Sequence, residues 1–179
     1  RIQPPRVEEH GPDCDEACIN AAVWARFNVS MDRSSLTRLE GGRQVPNIIV
    51  RRCTNQSCRA FEAPLPFTAA MLRLEDASGS SDTADSMLIL DSEDINLLEP
   101  DRYYKVWILG GDQGVKSAYG RLPLAGLNDS EPVAFSWTFK SRSGTNSLCT
   151  VDRVQVIPGE KYENEIGARQ LFTGRPYSA

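Results

Sequence analysis

The residues whose types and spacing could do chemistry are few, and the cysteines come first. There are five: Cys14 and Cys18 lie close together, as do Cys53 and Cys58, and Cys149 stands alone. A Cys-x3-Cys and a Cys-x4-Cys supply four sulfurs, enough for zinc, but zinc knuckles combine tighter spacing with a nearby glycine, which neither pair has. Disulfides of an exported β-protein fit better. Of the connectivities open to four cysteines, cross pairing is favoured, Cys18 with Cys53 and Cys14 with Cys58. Such bonds would staple the start of one strand to the end of another at one pole of a sandwich. Cys149 would then be free or bonded to something outside this chain.

The other reactive groups point away from catalysis. His10 is the single histidine and sits in a charged stretch bounded by glycine and proline. With no partner in view it reads as a solvated loop residue rather than a base. There is no G-x-S-x-G elbow, P-loop or G-x-G-x-x-G, so an enzyme is the least supported class and no cofactor is expected. Asp91, Glu93 and Asp94 follow a strand, with Asp82 and Asp85 nearby. Oxygen-rich loops of this kind can hold calcium, but the spacing matches no EF-hand loop, and a solvated loop is the plainer reading.

Trp137 alternates in step with Phe135 and Phe139 and reads as core. Trp24 and Trp107 fall on strand faces opposite Phe27 and Val106, where an exposed aromatic strip could bind carbohydrate or another subunit. Packing under a loop is the competing reading. Asn28, Asn55 and Asn128 open N-x-S triplets, a pattern that also arises often by chance.

The elements that must position these groups are short strands. The chain has 179 residues, is 40% hydrophobic and 25% charged, and carries a net charge of −4. That composition suits a globular chain, and its mildly acidic balance lacks the dense basic cluster of a nucleic-acid or membrane surface. Its apolar runs are far shorter than the roughly 20 residues that span a bilayer. The opening Arg1-Ile2-Gln3-Pro4-Pro5 has neither a start methionine nor a signal-peptide pattern, so the chain reads as a piece of a longer or processed protein.

Residues 99–111 carry the strongest pattern. Tyr104, Val106 and Ile108 alternate with Tyr103, Lys105, Trp107 and Leu109 before Gly110-Gly111 stops the run, which predicts a central two-faced strand. Residues 21–29 and 133–140 alternate in the same way, and residues 47–53 and 86–91 are further strands. Residues 30–36 suit one helical turn that tucks Met31 and Leu36 under the sandwich. Residues 40–46 read as a polar turn, 63–66 as an edge or connection, and 69–75 as a strand hairpinned to 86–91 through a polar loop.

This pattern predicts an all-β, immunoglobulin-like sandwich over residues 21–141. Residues 1–20 read as an extended lead-in. A Ser/Gly linker covers 142–148, and a two-strand tail covers 149–179, with strands near 151–156 and 168–173. About thirty residues cannot bury a sandwich core alone. The tail is therefore either a truncated second module or a strand that borrows its core elsewhere.

The ordered pieces resemble the bacterial immunoglobulin-like domain of the surface-layer (SbsA-type) class. Phe27-Asn28-Val29-Ser30-Met31-Asp32 is similar to that family's FSxPMD-like corner, with Val29 and Ser30 replacing the usual Glu-Pro. Leu97 through Val106 resembles its L-x-P-x-x-x-Y-x-V segment, and Phe135-Ser136-Trp137-Thr138-Phe139 its closing W-x-F strand. The tail, from Val151 through Thr173, resembles the first strands of a second bacterial immunoglobulin-like class. The resemblance implies an extracellular or cell-surface structural module in a surface layer, adhesin or stalk. Its partners would be neighbouring domains or subunits of the same assembly, with no nucleic acid and no direct membrane insertion. Two alternatives stand beside it. One is a self-assembling filament or lattice subunit that lends its C-terminal strands to a neighbour. The other is a carbohydrate- or protein-binding module working through Trp24 or Trp107.

Overall fold

A computed structural model describes residues 4–72, 87–91, 98–124 and 135–144, and the strands of residues 153–157 and 173–177. Two four-stranded antiparallel sheets make a β-sandwich. The first comprises β1 (Val7–Gly11), β2 (Val23–Phe27), β7 (Thr68–Leu72) and β8 (Met87–Asp91), in the order β1-β2-β8-β7. The second comprises β5 (Ile48–Cys53), β6 (Phe61–Pro64), β9 (Tyr103–Ile108) and β10 (Phe135–Lys140), in the order β10-β9-β5-β6. Between β2 and β5 lie the 3-10 turn Arg33–Leu36 and a small hairpin of β3 (Thr37–Glu40) and β4 (Arg43–Pro46).

Alternation places the core. Val23, Ala25 and Phe27 of β2 and Leu88 and Leu90 of β8 face Ile48 and Val50 of β5, Tyr104, Val106 and Ile108 of β9, and Phe135, Trp137 and Phe139 of β10; all are buried. Each full side chain of this size taken out of water contributes roughly 1.5–3 kcal/mol. The strand over residues 99–111 is central as predicted: β9 is hydrogen-bonded to β10 on one side and β5 on the other. Met31 and Leu36 are buried around the 3-10 turn, also as predicted.

Residues 1–20 belong to the sandwich itself. β1 pairs with β2, with His10 opposite Ala25 and Gly11 opposite Trp24. Past Pro12 the chain crosses to the second sheet. Ala17 N–H donates to Lys140 O at 2.9 Å, Arg142 N–H donates to Ala17 O at 2.7 Å, and Ala17 is bridged to Ser141 in parallel. Val7 and Ala17 are core residues.

Residues 40–46, read as a turn, are the turn and second strand of the β3–β4 hairpin. Gly41 and Gly42 take φ of +58° and +78°, the two left-handed positions that a tight two-residue hairpin turn requires. In the tail, β11 (Arg153–Ile157) pairs with β12 (Thr173–Tyr177). Among the described residues neither pairs with a sandwich strand.

Tyr104 locks the start of β9. Its hydroxyl accepts a hydrogen bond from Glu99 N–H at 2.7 Å, and its ring stacks on Phe139 with centroids 5.3 Å apart. Ser141, fully buried, donates from Oγ to Glu99 O at 2.5 Å and accepts from Arg102 N–H at 2.9 Å. Arg52 is ion-paired to both Glu62 and Glu99 at this same end, and Lys140 to Asp101.

Candidate functional site

The cysteines are not arranged as predicted. Cys53 bonds to Cys58 across a Cα–Cα distance of 4.9 Å, and Cys14 is free and exposed. The cross pairing of Cys18 with Cys53 and Cys14 with Cys58 is thereby corrected. The physical reason is local: the turn at residues 54–57 closes so tightly, with Cys58 N–H bonded to Asn55 O and Thr54 N–H to Ala60 O, that the two sulfurs meet without help from another strand. Cys18 is disulfide-bonded. Cys149 lies outside the described residues.

Trp24 and Trp107 do not share a face. Trp24 is half-buried on the outer side of the first sheet and lies over Gly11, where an added Cβ would sit 2.6 Å from Nε1. Trp107 is half-buried on the outer side of the second, in register with Ile49 and Ser136, with Phe61 edge-on at 4.8 Å and the Lys105 ammonium 5.4 Å from its ring centre. Each indole is largely taken up by its own sheet.

His10 is not a solvated loop residue. It stands on β1 and packs against Phe135 at 5.4 Å and Trp137 at 4.8 Å, between the two sheets. Burial pushes its imidazole below the ordinary value, with the Asp13 charge opposing. Among the calcium candidates, Asp82, Asp85, Glu93 and Asp94 lie outside the described residues. No group of three or more potential metal ligands gathers among the described ones.

The most structured polar site is one that sequence reasoning missed. It sits at the pole where β9 ends, and Asn47 lies behind it, bonded to three of the residues that line it. The Asn47 side chain is fully buried and makes three bonds: Nδ2 donates to Ser35 O at 2.9 Å and Gln113 O at 2.8 Å, and Oδ1 accepts from Arg38 at 2.9 Å. Its backbone adds two more, to Leu36 O and from Leu109 N–H. One residue thus ties the 3-10 turn, the hairpin and the loop of residues 109–124 together.

Beside these bonded residues opens a cleft of about 350 Å³. It is lined by three cations, Arg38, Lys116 and Arg121, by one carboxylate, Asp112, and by the hydroxyl and amide groups of Thr37, Gln44 and Gln113. Ser35 Oγ accepts from Lys116 N–H at 2.9 Å and so fixes one wall to the other. Asp32 caps the 3-10 turn by accepting from Ser34 N–H at 2.9 Å, and takes an ion pair from Arg121 at 3.2 Å. Burial pushes the Asp32 carboxyl upward, but the Ser34 hydrogen bonds and the charges of Arg121 and Lys116 outweigh it and hold the group below its ordinary value.

No local signal marks this site in the sequence, because Arg38, Lys116 and Arg121 lie on two distant segments that only the fold brings together. Among the described residues no helix is long and apolar enough to cross a membrane. The chain matches no family model, no curated protein and no solved structure.

Proposed function

We propose that this chain is a non-catalytic, immunoglobulin-like structural module of an extracellular or cell-surface bacterial multidomain protein. The observation that carries the reading is the strand order together with the Tyr104 corner. Read in chain order as A, B, C, C′, D, E, F and G, strands β1, β2 and β5 to β10 give the sheets A-B-E-D and C′-C-F-G. That order supports the immunoglobulin-like reading. A tyrosine near the start of strand F, bonded back to the backbone a few residues upstream, is a hallmark of the same fold; Tyr104 does this to Glu99. The Cys53–Cys58 bond and the oxidised Cys18 favour an oxidising compartment.

The test is the solution mass of residues 1–179 beside a chain ending at Ser147, both without reductant. Monomers in both cases are expected. Association of the full chain alone would replace the spacer reading with the second one, a self-assembling subunit.

That second reading rests on the free edge of β10. Lys140 N–H and C=O point away from β9, toward Cys14 and Ala17. Alternation aims the backbone groups of Ser136 and Thr138 the same way, and among the described residues no further strand pairs there. A strand from a neighbour could extend the sheet at this edge.

A further inference from the structure

We infer that the cleft beneath the β3–β4 hairpin is a binding site for an acidic saccharide, one whose sugar rings carry carboxylate groups. The argument begins with charge. The chain as a whole is acidic, at −4, yet the cleft walls carry three cations against one carboxylate. Glu40 and Asp32, which do not line the cleft, pair with Arg38 and Arg121, so the charge open to an incoming anion is the Lys116 ammonium together with the guanidinium donors that Arg121 keeps free.

The three cations divide by role. Arg38 is a fixed part of the wall: it donates to Pro46 O, Asn47 and Glu40. Lys116 has no hydrogen-bond or ion-pair partner for its ammonium among the described residues. Arg121 gives one nitrogen to Asp32 while its side chain stays 65% exposed, which leaves further guanidinium donors open to a carboxylate. Arg121 is also held at φ +49°, directly after Gly120 at +75°. A non-glycine residue in the left-handed region costs on the order of 1 kcal/mol, and such residues gather where geometry serves binding.

The neutral groups favour a sugar over a simple ion. Thr37, Gln44 and Gln113 present a hydroxyl and two amides whose side chains make no bond to another described residue, a donor and acceptor set suited to ring hydroxyls. Apolar surface for the ring C–H faces is at hand. Leu39 lines the cleft and is 73% exposed. The volume lies at the lower end of the range for small-molecule sites, suited to one or two sugar rings. A nucleic acid would need a longer basic track than this cleft has.

The experiment is calorimetric titration of residues 1–179 with trigalacturonate at low salt, with maltotriose, inorganic phosphate and a mononucleotide as comparators. Trigalacturonate should bind with a dissociation constant on the order of 10⁻⁴ M, weakening several-fold from 50 to 200 mM salt. Lys116→Ala should weaken it about tenfold, and Asp112→Asn should tighten it about two- to threefold by removing the opposing charge. Neither residue supports the core, so both variants should keep the parent melting temperature; if Lys116→Ala unfolds the chain, Lys116→Gln reads the same charge. Equal binding of maltotriose, equal or tighter binding of phosphate or the nucleotide, no heat with any ligand, or an unchanged Lys116→Ala affinity would each overturn the assignment.

Discussion

Replacing Asn47 with alanine should cost this fold more than its modest size suggests. The side chain is fully buried and makes three hydrogen bonds, two as donor to backbone carbonyls and one as acceptor from the Arg38 guanidinium. A neutral hydrogen bond contributes roughly 0.5–1.5 kcal/mol net and a charged one roughly 1.5–3. Simple addition would give more than the true loss, because water from the adjoining cleft can reach Gln113 O and the Arg38 side chain. Ser35 O is the group that stays buried. A destabilisation of about 3 kcal/mol follows. Urea unfolding followed by tryptophan fluorescence reads it directly as a lowered midpoint with unchanged slope. Asn47→Asp is the informative companion. It keeps the acceptor toward Arg38, but loses both donors and sets a carboxylate against two carbonyl oxygens, so it should be no better than alanine. A loss below about 1 kcal/mol for Asn47→Ala would refute the reasoning, since it would mean the three bonds exchange for water without penalty.

Tyr104→Phe removes one oxygen and leaves Glu99 N–H without its partner, so stability should fall by about 1–2 kcal/mol in the same assay, with no change in the Phe139 stack. Gly11→Ala should cost about 1–3 kcal/mol and shift the Trp24 emission, because the new methyl would sit 2.6 Å from the indole nitrogen. His10 has a lowered pKa in the fold, so the native state binds fewer protons than the unfolded chain below the ordinary value of 6.5. Thermal stability should therefore decline as pH falls through and below 6.5, and His10→Phe, which keeps the aromatic packing, should remove that decline. In a non-reducing alkylation experiment on the folded chain, Cys14 should label rapidly, and Cys53 and Cys58 should label only after reduction.

What was legible in the sequence is what period-two alternation can carry. β9 and β10 are each made of side chains that alternate between core and outer face, and their placement follows from Tyr104, Val106 and Ile108, and from Phe135, Trp137 and Phe139. The 3-10 turn was legible because Asp32 is a good cap. The failures share a cause. The cysteine pairing was argued from which strand ends share a pole, whereas a tight turn decided it. His10 looked solvated because its neighbours in the chain are charged, yet the register shift between Val7 and Glu9 breaks the alternation of β1 and sets His10 on the same inner side as Val7, toward Phe135 and Trp137. The lead-in reads as extended over residues 2–8, but its Pro-rich, weakly patterned sequence does not show that its strand, Val7–Gly11, pairs with β2 as part of the sandwich. The cleft was invisible because its two walls are far apart in the chain, as Ser35 and Lys116 are 81 positions apart.

The two ends of the sandwich are built for different purposes. In register, Ile48 pairs with Ile108 and Arg52 with Tyr104, so Asn47 and the Tyr104 corner mark opposite poles of the same strands. At the corner pole the polar groups serve closure: Ser141 fills the space under Glu99 and Arg102, and Arg52 is clamped between two carboxylates. β10 ends here, at Lys140. At the other pole the closure is done by Asn47, and the groups beside it, Lys116, Thr37, Gln44 and Gln113, are left unspent. Removing Asn47 should thus disturb the cleft, while removing the Tyr104 hydroxyl should lower stability and leave trigalacturonate binding unchanged. If Tyr104→Phe weakened binding as much as Asn47→Ala does, the poles would be energetically coupled through the strands, and the cleft could not be treated as a site independent of the spacer beneath it.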